Sequence, residues 1–219
     1  MSYFDAIKAD LLNVPDDAVK VWLAPLADGG YGWPPPKSDG GKWRCALLNK
    51  TLDYWQKTTW LRIEHPLDWR SISLGSRHSI NGLIEAHISN VQNEYSKIYN
   101  SAARFQNIST HMRLHGVLPQ PAAMMQTFSG LEIIDGNHRL AALVALRLLW
   151  ERMPEKMVEA NIAKPADKQP ILLVTPPAEG TYEIDELTAY YEEWARGFGE
   201  EAPSPKRTFR LPHPNDSER

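Results

Sequence analysis

Sulfur chemistry is scarce in this chain. One cysteine, Cys45, stands among 219 residues, which excludes an intrachain disulfide and any cysteine-rich zinc site. Long apolar runs are missing as well: no stretch approaches the roughly 18 residues needed to cross a bilayer. The opening MSYFDAIKADLL carries Asp5 and Asp10 and lacks the basic region and apolar core of a signal peptide. Net charge is only −3 and the pI about 6.2, so no global positive excess announces a nucleic-acid binder. These absences lead us to expect a soluble cytoplasmic protein with no membrane partner. What is present, 42% apolar residues in 24.9 kDa, suffices for one sizeable core.

Periodicity and punctuation then divide the chain. Residues 1–24 read as a short amphipathic helix, with Phe4, Ile7, Leu11 and Leu12 at helical spacing. The stretch DGGYGWPPPKSDGGK (Asp28–Lys42) is dense in glycine and proline and reads as a long exposed loop. WLRI (Trp60–Ile63) predicts a strand end ahead of Pro66, and GSRHS (Gly75–Ser79) a polar turn. A helical pattern fits Ile80–His115, with Leu83, Ile84, Ile88, Val91 and Tyr95 on one face. A second helix within it carries Ile108, Met112 and Leu114 and ends at Gly116. PAAMMQTF and LEII, joined through Ser129-Gly130, predict a strand pair. A helix follows from near Asn137 to about Arg152, stopped by Pro154, and QPILLVTPP (Gln169–Pro177) predicts a further strand. Ile184, Leu187, Tyr191 and Trp194 mark an acidic amphipathic helix; after Gly199 a Pro-rich tail follows. No internal repeat is visible. Strands and helices interleave, so the expected class is α+β, a small mixed sheet with flanking helices.

Charge is uneven along the chain. From Lys37 to Arg152 there are fourteen Lys or Arg against nine Asp or Glu, together with six of the seven histidines. Between Glu94 and Glu132 no acid occurs, while Lys97, Arg104, His111, Arg113 and His115 do. Acids gather after Glu179. A mildly basic middle facing an anionic partner and an accident of solvated surfaces are equally good accounts of this pattern.

The most informative stretch is LEIIDGNHRL (Leu131–Leu140), where a strand turns into an apolar helix. The first turn of a helix offers N–H groups without intrahelical acceptors and the positive end of the dipole. A glycine just before it lets a ligand approach the backbone. Asn137, His138 and Arg139 would add side-chain donors, and the arginine fork suits phosphate oxygens. The physical reading is an anion site, most simply for nucleotide phosphates. Asp135 is placed either to cap the helix or to hold a divalent metal. Against this stands ordinary cap chemistry, since Asp-Gly commonly precedes a helix.

HGVLPQP (His115–Pro121), a strand-like gap and then IIDGNHRLAAL together resemble the core of the ParB/sulfiredoxin (ParB/Srx) superfamily, over about residues 104–175. In that group a His-Gly-like turn ends a helix, a Gln-Pro element leads into a strand, and a Gly-x-x-Arg turn opens the next helix. The resemblance implies a ParB/Srx-like nucleotide-binding core at 43–178, an N-terminal extension at 1–42 and an acidic helix with a flexible tail at 179–219. It implies that Gly136, Asn137, His138 and Arg139 contact the phosphates of ATP bound with Mg²⁺, with further contacts from Arg104 and His111. Asp135, His138 and Arg139 would then carry catalysis, His138 as a donor or proton shuttle. Asn137 stands where sulfiredoxins have their reactive cysteine, so sulfinic-acid repair is not expected. The short, Glu- and Pro-rich C-terminal part holds no helix-turn-helix, so a centromere-binding clamp is not expected either.

What the resemblance leaves is a compact ATPase with DNA-binding and DNase activity. It is similar to the plasmid fertility-inhibition (Osa-like) branch, which interferes with conjugative DNA transfer. The alternatives are an ATP-dependent kinase of a small molecule such as free serine, with Glu64 as the candidate base, and a non-catalytic inhibitor that binds a conjugation or secretion-system protein. Other constellations weigh less. His111 and His115 share a helix face but lack an acidic neighbour to complete a metal site. Glu64, His65 and Asp68 read more readily as a solvated turn than as an acid/base cluster, and Arg77 and His78 as either a phosphate contact or a turn. Trp22, Trp33, Trp43, Trp55, Trp60 and Trp69 are packing anchors before they are base-stacking platforms. Lys206, Arg207 and Arg210 around Phe209 make a basic arm for DNA or a partner, or a solubilising end.

Overall fold

The computed structural model describes residues 2–36, 43, 46–88 and 101–177. Its middle layer is built from strands β1 (Thr59–Pro66), β2 (Ala122–Thr127), β3 (Gly130–Asp135) and β4 (Lys168–Thr175). They lie in the order β1-β4-β2-β3. β1 is antiparallel to β4 and β2 to β3, whereas β2 and β4 are parallel. The sheet is therefore mixed and the class α+β. The expected strand pair is a hairpin turned through Phe128 and Ser129, and its return begins at Gly130, with φ +115°. A Cβ there would stand 2.5 Å from the Ser71 carbonyl oxygen, so the close approach of residues 71–73 to β3 depends on this glycine.

Side-chain alternation gives each face of the sheet its own cover. On one face Ile63, Met124, Leu131, Ile133 and Ile171 join a core completed by Ile80, Met112, Leu140, Leu143 and Leu146. These come from α4 (Leu74–Ile88), α5 (Ser101–His115) and α6 (Asn137–Arg152). On the other face Ala123, Met125, Leu172 and Val174 are equally buried, on the side of the described residues that precede β1. There α1 (Tyr3–Asp10) starts from a Ser2/Asp5 capping box. The next helix, α2, runs through Asp16–Ala18, Val19–Leu23, Ala24–Leu26 and Ala27–Tyr31 with alternating α and π turns. Thr51 caps α3 (Leu52–Gln56). Trp22 and Trp55 meet edge to face at 5.1 Å, Trp60 of β1 lies 6.1 and 6.3 Å from them, and the Tyr54 hydroxyl donates to Met125 Sδ at 3.4 Å. These tryptophans are anchors between layers.

The helix expected at residues 1–24 is broken at residues 11–15 into α1 and the start of α2, and two further expectations are corrected, in part or whole, for tertiary reasons. The loop expected from Asp28 holds for the described residues 32–36, but helical hydrogen bonding continues through Ala27–Tyr31, with Gly30 at φ +102° outside helical geometry. The Trp43 indole N–H donates to the carbonyls of Tyr31 and Gly32 at 3.2 and 3.0 Å, and Trp33 donates to Asp10 at 2.8 Å. Aromatic anchors thus override local composition. GSRHS is no turn but the first part of α4: Ser76 is buried, its hydroxyl accepts the Ile133 N–H at 2.9 Å, and its own N–H donates to the Ser73 hydroxyl at 3.4 Å. The helix break near Pro154 is found, with a short α7 (Pro154–Glu159) beginning on that proline. The helix at Ile184–Trp194 and the basic tail lie outside the described residues.

The link between α5 and β2 is fixed from the far end of the chain. Gly116 ends α5 with φ +70°, and a Cβ on it would fall 2.4 Å from the Lys164 carbonyl oxygen. Gln169, fully buried, accepts the Leu118 N–H at 2.9 Å and donates to the carbonyls of Gly116 and Ala166 at 3.1 and 2.9 Å. The HGVLPQP loop is held in place for β2 and the turn beside it.

Candidate functional site

β3 ends at Asp135 and α6 begins at Asn137, so Gly136 alone makes the joint. Its φ of +108° is open to glycine and strained for other residues. A Cβ here would lie 3.0 Å from Ala122 Cβ and 3.0 and 3.1 Å from Nε and Nη2 of Arg139: the space is occupied by the guanidinium. No side chain caps the helix, which leaves first-turn N–H groups without a side-chain acceptor.

Arg139 is 8% exposed. Apolar neighbours force this: Leu140, Leu143 and Leu146 drive one face of α6 into the core, and Arg139 shares the buried first turn. Its Nη2 pairs with the Asp135 carboxylate and its Nη1 donates to Gln120 Oε1 at 3.3 Å, while Nε is buried with no partner. Burial pushes the Asp135 carboxyl up, and Arg139, the Gly136 N–H and Arg104 oppose that rise. Strand end, helix start and the HGVLPQP loop therefore meet on one guanidinium.

His138 sits beside this pair. Its Nε2 is buried without a partner. Burial, and then the charges of Arg104, His87 and Arg139, bring its pKa down to about 4. It is neutral at pH 7, which suits it to donate one hydrogen bond and not to carry a shuttled proton. Arg104, exposed on α5, reaches both His138 and Asp135 with its charge. His111 lies two turns further along α5, roughly 10 Å away, and its ring meets His115 at 4.5 Å. It does not join the group.

One residue was not anticipated from the sequence. His87, on α4, stacks on Phe105 of α5 at 3.9 Å; its Nε2 is buried and unpartnered, and burial lowers its pKa. The signal was available, since His87 continues the core-facing series of Ile80, Leu83 and Ile84 and is its polar member. Gln120 was legible only as part of the loop motif.

As a metal ligand Asp135 fits poorly. Its carboxylate is engaged by Arg139, and no group of three or more His, Cys, Asp or Glu that would hold a metal occurs among the described residues. Glu64 is exposed on β1, three strand spacings or roughly 14 Å across the sheet from β3, so it cannot serve as base to this turn. Asp68 caps a short 3₁₀ turn by accepting the Arg70 N–H at 3.0 Å. A shallow groove lined by Arg147, Trp150, Glu151, Lys164, Pro165 and Asp167 lies two turns along α6 from Arg139 and is separate from the site.

No family model, curated protein or solved structure matches this chain. No helix among the described residues is long and apolar enough to cross a membrane.

Proposed function

We propose that this chain is a nucleotide-binding protein that receives phosphate oxygens at the turn from Asp135 to Arg139. The observation that carries the reading is the uncapped start of α6, closed by a positive-φ glycine and accompanied by buried, unpartnered nitrogens on Arg139 and His138. A phosphate there would accept from the first-turn N–H groups and from neutral His138, with Arg104 adding charge from α5. The meeting of the HGVLPQP loop and the DGNHR turn through Gln120 and Arg139 supports a ParB/Srx-type core. ATP hydrolysis, DNA cleavage and inhibition of conjugative transfer follow as the finer proposal, resting on that resemblance and the basic middle of the chain. Mg²⁺ would arrive with the nucleotide phosphates and neutralise part of their charge, since Asp135 alone does not form a metal site.

A second reading is favoured by the Asp135–Arg139 pair, which already satisfies most of the guanidinium. The turn would then be a lock of the fold, and the protein a non-catalytic inhibitor acting by contact with a partner protein. Titration calorimetry with a non-hydrolysable ATP analogue and Mg²⁺ separates the two. We expect binding by the wild type, loss in Arg139→Ala, and about tenfold weakening in Arg104→Ala, whose exposed side chain leaves the fold intact. No heat from the wild type, at concentrations that detect submillimolar affinity, would overturn the nucleotide reading in favour of the lock.

A further inference from the structure

β1 leaves one edge of the sheet without a partner among the described residues, since its backbone ladder is made to β4 alone. Such an edge is a template for another strand. Leu61 on it is 58% exposed, and Arg62 and Glu64 are exposed as well. Residues 61, 63 and 65 point to the face that carries the helical core, and 62 and 64 to the opposite face, because Ile63 belongs to that core.

The sequence of this edge is self-complementary. Laid antiparallel to itself about Ile63, it sets Arg62 opposite Glu64 and Glu64 opposite Arg62, Ile63 opposite Ile63, and Leu61 opposite His65. Centring on residue 62 or 64 would instead set like charges against each other, which destabilises a strand pair. Only the Ile63 register gives two ion pairs on one face, with an Ile63–Ile63 contact flanked by Leu61–His65 pairs on the other. Arg62 has an exposed bond to Asp17 at 3.2 Å, but its side chain remains 65% exposed and that pair is worth little in water.

We propose that β1 pairs with β1 of a second copy of this chain, antiparallel and centred on Ile63, to give one continuous sheet across a two-fold axis. The arrangement is isologous, so each contact occurs twice, and it closes both exposed edges at once. The occupant is a second copy because each side of the ribbon supplies the charges that the other lacks.

Sedimentation equilibrium over a concentration series tests this. The wild type should self-associate, and Arg62→Glu and Glu64→Arg should each raise the dissociation constant about tenfold or more, since each places like charges opposite one another twice. An equimolar mixture of the two variants should associate again, because one copy then carries acids at both positions and faces bases at both positions of the other. The double variant R62E/E64R should recover in the same way. Glu64 makes no ion pair among the described residues, so E64R keeps the monomer intact, as its thermal melt will show. A wild type that stays monomeric throughout, a dimer indifferent to both reversals, or a mixture that fails to recover would each overturn the proposal.

Discussion

Asp135→Asn is the most telling single change in this molecule. It removes the charge facing Arg139 while keeping the shape of the side chain. Breaking one partner of a fully buried ion pair costs about 3–5 kcal/mol. The side chains here are 10% exposed for Arg139 and 28% for Asp135, so water reaches the acid and the cost falls to about 2–3 kcal/mol. The converse change, Arg139→Met, should behave differently. Burial already raises the Asp135 carboxyl, and without Arg139 opposing it the acid rises further and can neutralise itself by binding a proton. A folded pKa above the unfolded value means stabilisation that is complete at low pH and lost as pH rises through the folded pKa. Arg139→Met should therefore cost less at low pH than at high pH, the opposite of the trend expected if the carboxylate stayed charged. Urea unfolding followed by tryptophan fluorescence at several pH values reads both. Inorganic phosphate adds a third arm: if the turn accepts anions, phosphate should stabilise Asp135→Asn more than the wild type, the variant itself gaining about 2.7 kcal/mol at a hundredfold excess over its dissociation constant. A cost below about 0.5 kcal/mol for Asp135→Asn, the size of an exposed pair, would refute the reasoning outright.

Gly116→Ala should destabilise by about 3 kcal/mol, because alanine at φ +70° is strained and its Cβ would fall 2.4 Å from the Lys164 oxygen; the urea midpoint measures it. Gln169→Leu leaves the Leu118 N–H and two carbonyls without their partners and should cost about 3 kcal/mol by the same assay. His138 titrates near 4 in the folded chain and near 6.5 when unfolded, so between these values the unfolded state binds the proton first. Its contribution is intact above pH 6.5 and lost as pH falls toward 4. His138→Gln should flatten about 1–2 kcal/mol of that acid slope, allowing for the part-exposed ring, and an NMR titration of the His138 ring should show the low pKa directly.

What could be read from the sequence was whatever local chemistry determines. The hairpin at Ser129-Gly130, the strand before Pro176, the end of α5 at Gly116 and the helix from Asn137 to Arg152 all announce themselves through turn residues and apolar spacing. What could not be read depends on partners distant in the chain. Ser76 looks like part of a polar turn until Ile133 is beside it, and Asp28–Tyr31 looks like loop until Trp43 donates to the Tyr31 carbonyl. The site divides in the same way. Asp135 to Arg139 are contiguous and were visible together, but the pairing of Arg139 with Gln120, the approach of His87 and the separation of His111 from the group are results of packing between α4, α5 and α6.

The cover of the sheet's second face has a bearing on synthesis. The described residues before β1 are translated first, yet the surface they lie on includes Leu172 and Val174 of β4, and β1 has its ladder with β4 alone among the described residues. At roughly 5–20 residues per second, the interval from Thr58 to Thr175 is on the order of 6–25 s. Until then the aromatic layer around Trp22 and Trp55 lacks β4, whose Leu172 and Val174 complete the face it covers, and part of its apolar surface stays exposed. A slow codon run or a chaperone would have its largest effect on yield in that window, before the last strand arrives.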